Sequence, residues 1–194
     1  FRGCWRWDSF LRRVVLSRDL PAAPGLAPPQ APAILRDGYV SYVVSALASL
    51  CNLSVSWETA ARAIESASEL DAFNSLTDHL DGLQWDGTPL LDQWLTTYFG
   101  VADSPYTRFV GRAWLVSAMA RAYRPGCQAD YTLELEGPQR VGKSTMLSIL
   151  GGFAYLRRMP SVSNPDRASH AIQGQWIVEV GELDAFRGVT PSQV

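Results

Sequence analysis

The sequence predicts an α/β fold in which a helical region precedes a unit built on a parallel sheet. Three observations carry this expectation. Between residue 36 and about residue 127, apolar side chains recur at helical spacing. After Gly126 the texture changes to strand, glycine loop, helix and strand, the order of a parallel α/β unit. The 194 residues are 47% hydrophobic with a net charge of −2, enough apolar material for one large domain or two small ones and too much for a wholly disordered chain.

Each element follows in order. Residues 1–35 read as an N-terminal strand and linker segment. Phe1 to Leu20 forms short strands or a hairpin around Val14, Val15 and Leu16, and Pro21 to Ala33 is a Pro/Ala-rich linker or surface loop. Residues 36–127 read as a helical domain. Tyr39, Val43, Ala46 or Leu47, and Leu50 mark its first helix. A second follows the Ser56 cap through Ala60, Ala63 and Ile64. A third starts near Asn74 and carries Leu76, Leu80 and Leu83. Asp86-Gly87 signals a turn; Trp85-Asp86-Gly87 and Trp94 read as core or interface packing around it, the alternative being a recognition loop, and Pro89 is expected to start a helix through Leu91, Trp94, Leu95 and Tyr98. Ser104-Pro105 caps a last helix carrying Tyr106, Phe109, Val110, Ala113, Val116, Ser117 and Ala120, which Pro125-Gly126 stops. In residues 128–194, Tyr131 to Glu136 reads as a strand, Gly137 to Gly142 as a loop, Lys143 to Leu150 as a helix and Trp176 to Val180 as a second strand.

Several classes are excluded or disfavoured. No run of about eighteen apolar residues occurs, and the longest stretch, Tyr39 to Leu50, is broken by Ser41, Ser45 and Ser49; a membrane-spanning helix is therefore not expected. Cys4, Cys51 and Cys127 form neither a disulfide framework nor a CxxC metal knuckle, so the expected compartment is a reducing cytoplasm. His79 and His170 lack acidic or cysteine neighbours at metal-ligand spacing. Arg108, Arg112, Arg121 and Arg124 lie along one predicted helix and form either a phosphate-contacting stripe for DNA or a solvated surface. The chain begins with Phe1 and has no basic-then-apolar leader, and we expect a fragment of a longer protein.

The chemistry concentrates in one motif. Gly137-Pro138-Gln139-Arg140-Val141-Gly142-Lys143-Ser144-Thr145 matches G-x-x-x-x-G-K-[ST] in full, and Lys143 is the sole lysine among seventeen basic residues. Glycines let such a loop curl so that its N–H groups converge on phosphates, and the helix starting at Lys143 adds its positive dipole end. The Lys143 ammonium is then suited to the β- and γ-phosphates of ATP, and the Ser144 hydroxyl to Mg²⁺. The alternative is a glycine turn between strand and helix with no ligand. Glu179 and Glu182 stand at the end of the second strand, where a loop-type nucleotidase keeps its acidic groups: Glu182 is the better candidate for polarising water, and Glu179 is a candidate for the metal and the second for the water. Alone, these two glutamates would also read as solvated acids.

On these residues the chain resembles a known family. "FNSLTDHLDGLQWDGTPLLDQWLTTYFG", "RAWLVSAMARAYRPGCQADY", "LELEGPQRVGKST" and "GQWIVEVGELDAF" are similar to the virulence-associated protein E family, ATPases of phages and pathogenicity islands related to superfamily 3 helicases. The resemblance implies a P-loop NTPase core, ATP and Mg²⁺ as ligands, a bacterial or phage-encoded cytoplasmic protein, DNA as a partner in mobile-element replication, and a homo-oligomer, commonly a ring. It puts Lys143 and Ser144 at the phosphate and Mg²⁺ positions and Glu179 and Glu182 at the acidic pair. Arg140 stands where the family usually has glycine, and Glu134 where it has an aliphatic residue, so a buried charge is expected there. Arg157-Arg158 and Asn164-Pro165 also depart from its pattern. The family's sensor strand and arginine finger would lie beyond Val194, so this chain is expected to have a truncated parallel sheet, to bind ATP but hydrolyse it slowly, and to associate weakly. Two other readings are a non-hydrolysing helical DNA-binding or interaction module that keeps the nucleotide site for structure, and a small-molecule kinase, for which no lid sequence is evident.

Overall fold

The computed structural model describes residues 1–156, 159 and 165–180. Within them the fold is mixed α/β, with seven α-helices and six short strands. The chain divides into two compact units, Phe1–Asp78 and His79–Val194. No described helix is long and apolar enough to cross a membrane.

The first unit is a four-stranded sheet packed on two helices. Strand β1 (Trp5–Asp8) and strand β2 (Arg13–Leu16) form the expected antiparallel hairpin, with Trp5 opposite Leu16 and Asp8 opposite Arg13. Strand β3 (Ala33–Ile34) extends it antiparallel beside β2, and β4 (Ala72–Phe73) runs parallel to β1, giving the order β3-β2-β1-β4. Period-two alternation turns Val14 and Leu16 of β2 inward. They meet Val40, Val43 and Ala46 of helix α1 (Asp37–Cys51) and Ala60 and Ile64 of helix α2 (Trp57–Glu69) in one core. Leu50 and Ala63 lie in these helices but are exposed: the buried faces of α1 and α2 sit on Val40, Val43 and Ala46 and on Ala60, Ile64 and Ser68. Ser56 caps α2 by accepting the Thr59 N–H at 3.2 Å. The first-turn backbone N–H of Glu58 itself, and then the Ser56 hydroxyl, hold the Glu58 carboxyl below its usual range.

The proline-rich stretch is a pinned surface loop. The Ala31 N–H donates to Asp19 Oδ1 at 2.7 Å, and the Tyr42 hydroxyl donates to the Pro21 carbonyl at 2.6 Å. Asp8 is buried, and its Oδ1 accepts the N–H groups of Phe10, Leu11 and Ser75 at 3.0–3.3 Å. One carboxylate thus ties the hairpin turn to the start of helix α3 (Ser75–Asp81), which Asn74 caps through the N–H groups of Leu76 and Thr77.

In the second unit, helix α4 (Trp94–Phe99) crosses helix α5 (Pro105–Tyr123) at Gly111, where an added Cβ would lie 2.6 Å from Trp94 Nε1. Trp94 is buried and stacks on Trp114, ring centroids 5.8 Å apart. Ser104 and Thr107 form a reciprocal capping box at the start of α5. Beyond α5 come helix α6 (Lys143–Gly151), a 3₁₀ turn (Gly152–Ala154), β5 (Tyr155–Leu156), α7 (Pro165–Ile172) and β6 (Ile177–Val178). β5 and β6 pair in parallel, Tyr155 opposite Ile177 and Leu156 opposite Val178. The Trp176 indole N–H donates to the Ala118 carbonyl at 2.8 Å and joins α5 to the start of this sheet.

Several expectations are corrected. Tyr131 to Glu136 joins no sheet among the described residues; its side chains alternate, with Leu133 and Leu135 half-buried and Glu134 exposed. Glu134 is therefore no buried charge, because alternation turns it to the solvent side. The helix expected from Pro89 through Trp94, Leu95 and Tyr98 is present as α4 but starts only at Trp94, after a turn over residues 91–93 in which the Gln93 N–H bonds the Leu90 carbonyl. Of the two tryptophans, Trp94 is buried in the core, whereas Trp85 is 79% exposed and outside it, its indole N–H satisfied by the Thr88 carbonyl of its own turn. Tyr106, Phe109 and Val116 are exposed, since α5 turns Gly111 and Ala122 inward instead. Leu83 is also exposed, past the end of α3.

Candidate functional site

The glycine loop closes on its own lysine. Lys143 Nζ donates to the carbonyls of Gly137 at 2.7 Å and Pro138 at 3.0 Å. The curl depends on positive-φ backbone at Gly137, Arg140 and Gly142. Gly142, at φ 89°, precedes the first residue of α6, and its carbonyl accepts the Met146 N–H at 2.9 Å. Arg140 holds φ 65°, a conformation that costs a residue with a Cβ about 1–2 kcal/mol. Gly137, Pro138, Gln139, Arg140, Val141, Gly142 and Thr145 are exposed, while Lys143 and Ser144 are half-buried at the helix start.

Ser144 faces the end of β6. Its hydroxyl donates to Glu179 Oε1 at 2.5 Å. The Glu179 backbone is held between two neighbours: its N–H donates to the Leu156 carbonyl at 2.8 Å, and its carbonyl accepts the Met159 N–H at 3.1 Å. Gly151 sets the closeness of α6 to the sheet, for an added Cβ would lie 2.9 Å from Tyr155 Cβ and 3.0 Å from Ile177 Cβ. The structure thus brings together Lys143, Ser144 and Glu179 around one loop and one strand end. Glu182, Arg157, Arg158 and Asn164 lie outside the described residues.

Sequence reasoning missed Tyr155. Its hydroxyl donates to Glu179 Oε2, the carboxylate oxygen that Ser144 leaves. No periodicity marks it, because β5 is two residues long and its register with β6 is a tertiary fact.

The oxygen donors match a hard cation. A serine hydroxyl and a carboxylate already at hydrogen-bond distance, beside a loop rich in N–H donors and a lysine ammonium, suit Mg²⁺ and phosphate oxygens. The arginines of α5 are differently occupied. Arg108 pairs with Asp103, Arg112 pairs with Asp92, and Arg121 donates to the Cys127 carbonyl. These hydrogen bonds hold the Asp103 and Asp92 carboxyls below the ordinary aspartate range. Two of the four arginines proposed as a DNA stripe are therefore charge-paired within the unit.

Comparison with known proteins adds one finding. No curated protein matches the chain. The model of the virulence-associated protein E-like domain matches residues 80–193, which include the glycine loop, α6 and the Glu179 strand. Because that span is more than half of the 194 residues and contains the whole candidate site, the chain belongs to the virulence-associated protein E-like family.

Proposed function

We propose that this chain binds Mg·ATP at residues 137–145 and is the motor part of a P-loop ATPase serving the replication of phage or island DNA, in the manner of a superfamily 3 helicase or primase-helicase. The single observation that carries the reading is the full phosphate-loop motif, holding the chain's sole lysine, with its serine hydroxyl 2.5 Å from Glu179.

Each residue has a task under this reading. The N–H groups of the loop and of the first turn of α6 bind phosphate oxygens, aided by the helix dipole. Lys143 exchanges the Gly137 and Pro138 carbonyls for β- and γ-phosphate oxygens. Ser144 and Glu179 would hold Mg²⁺ through their side-chain oxygens, and the ion would supply charge neutralisation to the terminal phosphoryl group. Glu182 is the residue assigned to orient water. DNA and further copies of the chain are the partners proposed.

A second reading, a helical module that keeps the site for structure alone, draws on the fact that Lys143 already bonds the loop's own carbonyls and Ser144 already bonds Glu179. Titration with Mg·ATP, single-stranded DNA and double-stranded DNA separates the two. Saturable Mg·ATP binding that Lys143→Ala abolishes supports the first. DNA binding with no response to nucleotide supports the second.

A further inference from the structure

We infer that Tyr155 is a positioning residue of this site, holding Glu179 where its carboxylate can share a divalent cation with Ser144; the inference rests on the Mg·nucleotide reading above. A glutamate side chain has several rotatable bonds, and ordering it costs conformational entropy. Backbone pairing of Glu179 with Leu156 and Met159 places the Cα and leaves the carboxylate to be aimed by other groups. Two hydroxyls aim it, one on each oxygen: Ser144 on Oε1 and Tyr155 on Oε2.

The two holds are not equivalent once a cation is present. A hydroxyl that ligates a metal turns a lone pair toward it, and Oε1 is the oxygen beside that hydroxyl. The Ser144–Glu179 hydrogen bond is thus the one that a shared cation would replace. Tyr155 binds the opposite oxygen and can keep its hydrogen bond through the exchange. Its own place is well determined. The phenol is a rigid ring on β5, whose register sets Tyr155 opposite Ile177, two residues before Glu179. Gly151 brings α6 so close that no side chain could stand between the helix and Tyr155 Cβ. Hydrogen bonds of this kind, one step removed from the metal, are worth about 10- to 100-fold in metal affinity.

The test is Tyr155→Phe in the 194-residue chain, which removes one oxygen and keeps the ring. A fluorescent ATP analogue is titrated in EDTA and then across a range of Mg²⁺ concentrations. The expected result is unchanged affinity in EDTA and a Mg²⁺ midpoint raised about tenfold. In a Glu179→Gln background, Tyr155→Phe should then move the midpoint no further. An unchanged Mg²⁺ midpoint overturns the inference, as does an equal loss of affinity in EDTA, which would make Tyr155 a structural residue. If the parent chain binds no nucleotide under either condition, the nucleotide reading itself fails and this inference fails with it.

Discussion

Ser144 and Glu179 are thirty-five positions apart in sequence, yet their side chains meet at 2.5 Å, hydroxyl to carboxylate. This pairing links the first turn of α6 to the residue that follows β6. The site is therefore a tertiary object assembled from two local motifs, and substitutions at either end should be felt at the other.

Lys143→Ala should lower Mg·ATP affinity by at least about 100-fold, because no other lysine exists to replace its charge and N–H donors. Far-ultraviolet circular dichroism should be unchanged, since alanine is the better helix former. Calorimetric titration of parent and variant measures both outcomes, and equal affinity would remove the lysine from the site.

Arg140→Gly should stabilise the protein by roughly 0.5 kcal/mol. Relief of a left-handed backbone gains about 1–2 kcal/mol, and the extra freedom of glycine in the unfolded chain returns about 0.5–1 kcal/mol of it. Arg140→Val should go the other way, because a β-branched residue tolerates positive φ poorly. Urea midpoints at neutral pH give the order of the three proteins.

Gly111→Ala sets two effects against each other. Alanine in a helix interior gains up to about 1 kcal/mol over glycine. Its Cβ, however, would lie 2.6 Å from Trp94 Nε1 and 3.0 Å from Leu95 Cδ1. Overpacking of that kind costs about 1–3 kcal/mol. Net destabilisation of about 1 kcal/mol is expected, with a change in the near-ultraviolet signal of the stacked Trp94 and Trp114. A stabilised variant would show that α4 and α5 separate freely.

Ser104→Ala should cost about 1 kcal/mol, because it removes the acceptor for the Thr107 N–H and breaks a reciprocal capping box. Ser104→Asp should retain most of the stability, as aspartate caps comparably and favours the positive end of the helix. Thermal melts of the three proteins check this order.

The Asp92–Arg112 pair gives an acid signature. The hydrogen bond from Arg112, ahead of its charge, holds the Asp92 carboxyl below the ordinary aspartate value. The unfolded chain therefore binds a proton at higher pH than the folded one, and stability falls on acidification in that window. The contribution is complete above about pH 4 and is lost as pH drops through the lowered value. Asp92→Asn should flatten stability against pH below about pH 4, and because the pair is exposed, salt should weaken the effect. Urea midpoints measured between neutral and strongly acidic pH would reveal an unaltered slope if the pair is idle.

What the sequence determined by itself is whatever a few neighbouring residues settle among themselves. Ser56 and Ser104 start helices because a side-chain oxygen reaches an N–H three positions on. The hairpin of β1 and β2 follows from short-range alternation. The loop from Gly137 to Lys143 is legible because the residue types needed for its curl and charge are consecutive. Tertiary structure decided the rest. Helix α5 carries apolar residues on more than one side, with Tyr106, Phe109 and Val116 on one and Gly111 and Ala122 on another, so periodicity could not choose its buried face. The fit of Trp94 against Gly111 chose it. The residues 131–136 have strand patterning, but a strand exists only where a partner supplies hydrogen bonds, and they pair with no strand among the described residues. Tyr155 entered the site through the register of β5 against β6. Local chemistry acts over three or four residues and can be read along the chain, whereas packing and strand pairing join residues tens of positions apart and become visible only when the chain has folded.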